Sequence, residues 1–455
     1  MSSNPRLLVK NAQQVVLICN NGEKFLTKPG MQNLCVIENG SVVIGSDGLI
    51  EAVGPAEVLR AQYSRASFDH VIDATGMCVV PGLVDAHTHP VWEGDRVHEF
   101  AMKLAGASYM DVHRAGGGIH FTVERTRAAA PPGAAGLPPR PPGPDAASRH
   151  DPGGVQERVR AGAADRAEDA GGDRGGPTHA AHQHLLHLLR SSRGAQVRAP
   201  PRPRTPPRDP FQTGVLLSRG KSVAEATEDI LRVQLPELKE RMSAGALGVD
   251  NIDVFCERGV FDLGSARAIL QAGKDMGLNI NFHGDELHPM NAAQLGAELG
   301  ALAISHLEEV TDEGIAAMAT AGTAAVLLPT TAYILRLPQP RARDMLEAGV
   351  IVALGSDFNP NAYCCSMPIV MHLACVNMKM SMPEALAAAT INAAYALRRS
   401  DTHGSLEVNK HGDLLVLDTP RWEHLIYQLG GHQELIRYVV IKGNVVVDNN
   451  KTMQL

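Results

Sequence analysis

One short stretch decides the fold, and it reads Pro81-Gly82-Leu83-Val84-Asp85-Ala86-His87-Thr88-His89-Pro90. Its alternation predicts a β-strand, in which residues i and i+2 point to the same face. His87 and His89 are therefore expected to project two imidazoles side by side, at a spacing that suits one metal ion. A lone His-x-His pair is a weak signal. Its place at the carboxyl end of a predicted strand strengthens it, because that end carries the chemistry in (β/α)8 barrels.

Bulk composition limits the class of protein. A chain of 455 residues is long enough for one large barrel and an accessory domain. The net charge of -7 gives no reason to expect nucleic acid or an anionic membrane as partner. The seven cysteines are scattered without a C-x-x-C pair, which favours reduced thiols, and no signal peptide or membrane span is predicted. We therefore expect a soluble, cytoplasmic protein.

The order of predicted elements indicates an α/β protein with a (β/α)8 TIM-like barrel. Residues 1–80 and 404–455 consist of short strand-like runs and turns, which we interpret as one composite β-sandwich formed from both chain ends. Residues 81–403 are assigned to the barrel. From about residue 220, helical and strand-like runs alternate in five consecutive helix-then-strand steps, as in a parallel barrel.

Residues 128–217 break this rhythm. The stretch from residue 128 to 210 is mostly Ala, Pro, Gly and Arg, holds about half of the chain's 29 prolines and lacks Lys, Ile, Phe, Met, Tyr, Cys, Asn and Trp. The missing residue types mostly use AT-rich codons, so the composition is typical of a GC-rich gene read out of frame or of a translated intron. A genuine disordered insertion is the other interpretation. We favour a misread segment that replaces barrel strands 2 and 3.

Two further residues complete a predicted metal site. His283 ends one apolar strand pattern and Asp357 ends another, so both are expected at the catalytic rim with His87 and His89. The alternatives are a buried core histidine and a turn or helix-cap aspartate. Three imidazoles and one carboxylate suit one Zn²⁺ ion, with iron (Fe²⁺ or Fe³⁺) as a credible substitute.

His306 and Glu286 are predicted to lie beside the metal ligands. His306 ends its own strand pattern and fits either a further ligand or a proton carrier that polarises a carbonyl. Glu286 follows His283 by three residues and could bind a substrate N–H or move a proton. Both could instead be ordinary rim residues.

These residues together resemble the amidohydrolase superfamily, and longer motifs resemble its imidazolonepropionase family in the animal form. The resemblance covers residues 1–127 and about 219–455. Besides the stretch around His87, the motifs that carry it are Arg96-Val97-His98-Glu99-Phe100, Ala115-Gly116-Gly117-Gly118-Ile119, Asn281-Phe282-His283-Gly284-Asp285-Glu286 and Gly355-Ser356-Asp357-Phe358-Asn359-Pro360.

The resemblance implies hydrolysis of the ring amide of 4-imidazolone-5-propanoate to N-formimidoyl-L-glutamate, in histidine degradation, with that small molecule as the partner and a possible homodimer. It implies three sets of site residues. The metal ligands are His87, His89, His283 and Asp357; the catalytic residues are Glu286, His306 and Asp357; the substrate contacts are Arg96, Tyr109, Glu286 and Asn359. A Tyr and a His that the family places on strands 2 and 3 find no match.

Two other functions remain open at this stage. The chain could be a catalytically dead or unstable isoform, because a barrel that lacks two strands leaves unpaired edges. It could also be another mononuclear amidohydrolase, of the deaminase type. Arg96 argues for an anionic substrate tail over a neutral base, because a guanidinium fork is a natural receptor for a carboxylate.

Overall fold

The protein is described by a computed structural model, which covers residues 5–90, 92–107, 109–118, 121–122, 125–126, 211–215 and 222–449. The strands are β1 (Leu7–Ile18), β2 (Cys35–Ile44), β3 (Ile50–Pro55), β4 (His70–Asp73), β5 (Cys78–Pro81), β6 (Phe211–Val215), β7 (Val249–Cys256), β8 (Asn279–Gly284), β9 (Ala303–His306), β10 (Ala324–Leu327), β11 (Val352–Leu354), β12 (Leu414–Leu417), β13 (Ile436–Ile441) and β14 (Asn444–Asp448).

The helices are mostly short and follow the strands of the second half. They are α1 (Pro29–Gln32), α2 (Ala56–Gln62), α3 (Val97–Leu104), α4 (Tyr109–Arg114), α5 (Val223–Asp229), α6 (Leu235–Ser243), α7 (Leu263–Asp275), α8 (Ala292–Leu299), α9 (Asp312–Ala321), α10 (Pro329–Leu335), α11 (Ala342–Ala348), α12 (Met367–Met378), α13 (Met382–Ala388), α14 (Ile391–Ala396), α15 (His424–Tyr427) and α16 (His432–Leu435). Within these ranges, no helix is long and apolar enough to cross a membrane.

Both chain ends meet in one mixed sheet. Its strand order is β14-β13-β12-β5-β1-β2-β3, and β4 pairs with β1. The two ends join where β12 runs antiparallel to β5, with Leu414 opposite Pro81 and Leu417 opposite Cys78. At the start of β1, Leu7 and Val9 are buried and alternate with less buried residues, as in a strand with one face in a core, whereas residues 15–18 are all buried. The predicted composite β unit is therefore a continuous eight-stranded sheet in the described part of the chain.

A second sheet is parallel throughout its described strands. Its order is β11-β10-β9-β8-β7-β6, which is the reverse of chain order, with helices α7 to α11 lying between β7 and β11 in the sequence. Strand β6 (Phe211–Val215) pairs in parallel with β7. Of residues 128–217, the structure describes only Phe211–Val215, which lie at the edge of this sheet. Residues 128–210 and 216–217 lie outside the described ranges, so the misread segment stays a prediction.

The His-x-His stretch also differs from the predicted regular strand. Regular pairing of β5 ends at Pro81, and the next residues leave the first sheet to run beside β11. Thr88 forms a parallel bridge with Phe358, and the His87 carbonyl accepts a hydrogen bond of 2.8 Å from the Asp357 N–H. The described residues show pairing on this one side only, so a regular strand is not assigned. No closed barrel is seen among them.

The helical stretch before β7 is interrupted by a π-helical turn, and the sequence explains where the next helix begins. Ser222 and Glu225 form a capping box at the start of α5. A π-helical turn over Ile230–Gln234 then separates α5 from α6, and Pro236 lies in the first turn of α6. Proline has no N–H and its ring clashes with the preceding turn, so it is tolerated only where a helix begins. Pro236 therefore lies where α6 begins, directly after the π-helical turn.

Asn392 connects the N-terminal segment to the parallel sheet through side-chain hydrogen bonds. It is fully buried in α14. Its side-chain oxygen accepts a hydrogen bond of 2.8 Å from the Leu26 N–H, and its amide nitrogen donates to the carbonyls of Leu26 at 2.9 Å and Val352 at 2.8 Å. One side chain therefore satisfies three buried backbone groups from two distant parts of the chain.

We expect Asn392→Leu to destabilise the protein by about 2–4 kcal/mol, because it leaves three buried backbone groups without partners. The measurement is the free energy of unfolding from chemical denaturation. Asn33→Leu is the matched control, since Asn33 is exposed and donates only to the Pro29 carbonyl; its effect should stay within about 0.5 kcal/mol. Equal effects of the two substitutions would show that Asn392 does not hold the two parts together.

Candidate metal centre

Four side chains converge at the carboxyl ends of the parallel strands. His87 Nε2 lies 3.1 Å from His89 Nε2 and 3.1 Å from His283 Nε2, and the latter two atoms are 3.3 Å apart. Asp357 Oδ1 is 3.6 Å from His87 Nε2 and 3.3 Å from His89 Nε2. The structure thus brings together all four residues that the sequence suggests as ligands.

The arrangement of these four atoms fits one small metal ion. Ligand atoms at about 2.0–2.1 Å from zinc, on the corners of a tetrahedron, are roughly 3.3 Å from one another. Asp357 Oδ1 is buried and has no hydrogen-bond partner among the described residues, which is unfavourable for a carboxylate oxygen unless a cation completes its environment. Imidazole nitrogens with a carboxylate oxygen are a donor set that zinc or iron accepts.

The four donors come from separate parts of the chain. His283 is the penultimate residue of β8, and Asp357 follows β11 by three residues. Asp357 has a φ of 50°, in the left-handed region that a non-glycine residue seldom adopts. Its backbone is held there on one side by the hydrogen bond from its N–H to His87. Local strain of this kind is typical of functional sites.

Two neighbouring side chains orient the imidazoles. Asp253 Oδ1, on β7, lies 2.8 Å from His283 Nδ1, and Ser305 Oγ, on β9, lies 2.9 Å from His87 Nδ1. Each contact occupies Nδ1 and so turns Nε2 toward the shared centre. No local sequence pattern predicts that Asp253 and Ser305 support the metal ligands. The sequence feature that could have indicated this role is their place on strands next to a predicted ligand.

The carboxylate of Asp357 is fixed at its other oxygen. Thr331 Oγ1 donates to Asp357 Oδ2 at 2.5 Å. The adjacent Ser356 donates through its N–H and its hydroxyl to the two oxygens of Asp85, at 2.9 and 2.5 Å. Asp85 also accepts from the His87 N–H at 3.3 Å. These contacts tie the His-x-His segment directly to the residues after β11.

The charges in this centre depend on one another. Burial opposes ionisation of Asp357, but the imidazoles of His89, His306 and His87 hold the pKa of its carboxyl well below the usual range. Burial lowers the pKa of His87, and the neighbouring imidazoles lower it further. Burial alone would lower the pKa of His283, but the carboxylate of Asp253 raises it to about 9. Without a bound cation, Asp357 is therefore ionised and His87 is neutral, whereas His283 holds a proton that a bound cation would displace.

His306 and Glu286 lie beside the four donors. The His306 ring centroid is 5.1 Å from that of His283, and His306 Nε2 is 3.7 Å from Glu286 Oε2. Both residues are buried. Burial raises the pKa of Glu286 to about 7, a value suited to proton transfer near neutral pH. His306 forms part of a second possible metal-binding group with His87 and His283, so the alternative role as a ligand stays open.

Arg96 occupies a buried position at the start of α3. Its Nε donates to Glu99 Oε2 at 2.7 Å, and Glu99 Oε1 accepts from the Gly118 N–H at 2.8 Å. A Cβ at Gly117 would lie 2.8 Å from Glu99 Oε1, so this loop requires glycine. Within the described ranges, Arg96 makes no hydrogen bond or ion pair with the four donor residues. Its carboxylate partner is Glu99, which fixes the guanidinium plane.

The remaining predicted substrate contacts are Asn359 and Tyr109. The Asn359 side chain is engaged in a local turn, since its amide nitrogen donates to the Asp357 carbonyl at 2.7 Å and its oxygen accepts from the Asn361 N–H at 2.7 Å. It therefore shapes the loop after Asp357. Tyr109 begins α4, and its side chain lies outside the described part of the structure.

Comparison with known proteins identifies the family. A model of the amidohydrolase family matches residues 263–446. A probable imidazolonepropionase of Danio rerio is 62% identical over 457 residues and covers 100% of both chains. The probable imidazolonepropionase of Homo sapiens is 57% identical, covering 98% of this chain and 99% of its own. The chain belongs to the imidazolonepropionase family.

Solved structures share the fold of this imidazolonepropionase family member. A zinc-bound adenosine deaminase from Xanthomonas campestris is 17% identical with a TM-score of 0.60, covering 100% of this chain and 96% of its own. A guanine deaminase from C. acetobutylicum, crystallised with guanine in the active site, is 14% identical with a TM-score of 0.57, covering 97% and 99% of the two chains. Identities this low establish the amidohydrolase fold alone.

We expect Asp253→Asn to weaken metal binding by roughly 10- to 100-fold, because an amide no longer holds the Nδ1 proton of His283 as a carboxylate does. The measurement is metal content after dialysis against graded chelator. Asp250→Asn is the matched control, because Asp250 lies on the same strand but pairs with Arg399 at 2.6 Å. Equal metal retention by wild type and Asp253→Asn would show that Asp253 does not support the centre.

Proposed function

We propose that the protein hydrolyses the ring amide of 4-imidazolone-5-propanoate to N-formimidoyl-L-glutamate with the aid of one bound metal ion. The observation that carries the proposal is the convergence of three imidazole nitrogens and the Asp357 oxygen, within 3.1 to 3.6 Å, in a member of this family. Donors brought so close are stabilised by a shared cation.

We assign His87, His89, His283 and Asp357 as the residues that hold the ion. When bound, a zinc or iron ion in such a site supplies a Lewis acid and lowers the pKa of coordinated water. Zinc is the ion we favour, because the donor set is typical of it. The bound zinc of the Xanthomonas campestris neighbour adds support from the shared fold.

The chain's own residues then carry the protons. The Asp357 carboxylate accepts a proton from the attacking water and delivers it to the leaving ring nitrogen. His306 donates from Nε2 to the oxyanion that develops on the ring carbonyl. Glu286, 3.7 Å from His306 Nε2, orients the ring N–H groups by accepting their hydrogen bonds.

Arg96 is proposed to bind the propionate group. A guanidinium offers two parallel N–H donors to a carboxylate, and burial strengthens that interaction. The contact with Glu99 leaves part of this fork for a second acceptor and keeps it in one orientation. Tyr109 and Asn359 are retained as further substrate contacts by resemblance, with Asn359 acting through the loop that it shapes.

We further propose a closed (β/α)8 barrel with the sandwich of residues 1–80 and 404–455 beside it. The segment around His87 runs next to β11, and the parallel sheet ends at β6, so one more strand between those two edges would complete the ring. No described residue supplies that strand.

Residues 128–217 are proposed to be a misread segment of normal length. The alignment with the Danio rerio relative spans 457 positions and all of both chains, so this 455-residue chain carries no large insertion. A local change of frame preserves length, whereas a retained intron adds to it. We propose that the proper gene product is the active enzyme and that this exact chain is impaired.

The proposed function predicts turnover of 4-imidazolone-5-propanoate, followed by loss of the ring's ultraviolet absorbance and by mass spectrometry of the product. Arg96→Met should lower kcat/KM by about 10- to 100-fold, since a charge-assisted contact contributes roughly 1.5–3 kcal/mol. Arg421→Met is the matched control, because Arg421 is an exposed arginine paired with Glu423 at 2.7 Å. Both experiments use the 455-residue chain and a chain with the reading frame restored.

The results separate the candidate functions. Turnover of guanine or cytosine without turnover of the imidazolone would replace the proposal with a deaminase. One bound metal per chain without turnover of any of these substrates would support a catalytically dead isoform. Turnover by the restored chain alone would place the defect in residues 128–217.

Sequencing the transcript across codons 120–225 tests the misread segment. We expect another frame to encode alternating helix and strand patterns, with a Tyr and a His at the ends of strands. Confirmation of the printed frame in several independent transcripts would contradict this expectation. The cytoplasmic location and the homodimer stay predictions, to be measured by fractionation and by light scattering.

A further inference from the structure

Glu308 is a buried carboxyl that the proposed reaction does not use. It follows the end of β9 by two residues, and its side chain is fully enclosed. Neither carboxyl oxygen has a hydrogen-bond partner on another residue in the part of the chain that the structure describes. An enclosed carboxyl without a partner costs free energy, so its presence calls for a functional reason.

The imidazole of His306 lies beside this carboxyl. Glu308 Oε2 lies 3.7 Å from His306 Nδ1, and that nitrogen is also buried without a hydrogen-bond partner. The opposite nitrogen of the same ring, Nε2, faces Glu286 Oε2 at 3.7 Å. His306 therefore stands between two carboxyl groups, one on the substrate side and one behind the ring.

The backbone turns sharply to create this arrangement. His306 and Leu307 have φ values of 81° and 70°, both in the left-handed region. Each such residue costs on the order of 1–3 kcal/mol unless its surroundings hold it in place. The turn sets the Glu308 carboxyl against the ring of the residue two positions earlier. Backbone strain at His306 and Leu307 thus occurs next to the unpaired carboxyl of Glu308.

We propose that Glu308 is a positioning residue that keeps a proton on His306 Nε2, the nitrogen that faces the substrate. The inference rests on the proposed function, in which that N–H stabilises the oxyanion. When one proton is shared between Glu308 and Nδ1, the pair is either a neutral acid beside a neutral imidazole or a carboxylate beside an imidazolium. Nε2 carries a hydrogen in both forms. This role requires the 3.7 Å separation to shorten when substrate binds, as hydrogen bonds in catalytic sites often do.

Burial agrees with this role. The Glu308 carboxyl is fully enclosed and lies 3.7 Å from His306 Nδ1, which also has no hydrogen-bond partner among the described residues, so the two groups can share one proton. A protonated carboxyl donates its hydrogen to Nδ1, which leaves the ring hydrogen on Nε2. Without Glu308, the neutral ring can move its hydrogen to Nδ1 and present a lone pair to the oxyanion.

Two substitutions of similar size separate this role from packing. Glu308→Gln retains an N–H donor for Nδ1, whereas Glu308→Met fills the space without any hydrogen bond. We expect Glu308→Met to lower kcat by about 10- to 100-fold with little change in KM, and Glu308→Gln to retain most of kcat. Glu309→Met, at the adjacent and less buried position, is the control. Metal content is measured for each variant, so that loss of the ion is not mistaken for loss of positioning.

Stability and ring protonation provide measurements that do not depend on turnover. Glu308→Met should unfold at the same or a higher denaturant concentration than wild type, because it removes an unpaired buried carboxyl. In protein labelled with ¹⁵N-histidine, the His306 ring, assigned with a His306→Asn variant, should carry its hydrogen on Nε2 in wild type and shift toward Nδ1 in Glu308→Met.

The outcomes distinguish this inference from the proposed function. If wild type fails to turn over the imidazolone, the function is wrong, and the ring measurement still decides the role of Glu308. The positioning role is overturned if wild type and Glu308→Met share one ring tautomer, or if Glu308→Met keeps full kcat. It is also overturned if Glu308→Met and Glu308→Gln lose stability and activity in parallel, because that result indicates packing alone.

Discussion

The constraint on which the structure depends is the close approach of four electron-pair donors in a buried site. His87, His89 and His283 place their Nε2 atoms within 3.3 Å of one another, and Asp357 Oδ1 adds a negative charge at the same point. Without a cation, unprotonated imidazoles in this arrangement repel each other through their lone pairs, and the site depends instead on a proton at His283 and on the negative charge of Asp357. The surrounding protein must therefore hold the donors together, and much of the local architecture can be understood as the means of doing so.

Three of the four donors are held by a neighbour on an adjoining element. Asp253 and Ser305 fix two of the rings through Nδ1, and Thr331 fixes the second oxygen of Asp357. Such contacts come from the strands or loops next to the ligand, so they form only when the parallel sheet is correctly aligned. A shift of one residue in register would turn alternate side chains to the opposite face and dismantle the site. Sheet register and metal affinity are thereby coupled.

The sequence predicted the ligands better than it predicted their supports. Each predicted ligand follows an apolar run, and such a local pattern can be recognised from the sequence alone. The ligands are His87, His89, His283 and Asp357. Asp253 and Ser305 act through pairing between strands far apart in the chain, such as that of His283 with Ser305 in β8 and β9. No local pattern reports such pairing. The same limit applies to the His-x-His stretch. Its alternation indicated a regular strand, whereas in the described structure it forms an isolated bridge between Thr88 and Phe358.

The β9 terminus shows how backbone strain and buried charge can serve one purpose. His306 and Leu307 adopt left-handed φ values, and Glu308 buries a carboxyl without a hydrogen-bond partner. A sequence selected for stability alone would place glycine at such a turn and an apolar residue behind the ring. The histidine, leucine and glutamate that occupy these positions lower the stability of the fold. This loss of stability is explained if catalysis requires the His306 ring to face the substrate with a hydrogen on Nε2. Because a proton shared between Glu308 and Nδ1 leaves Nε2 protonated in either form, the pair meets this requirement without depending on which partner holds the proton.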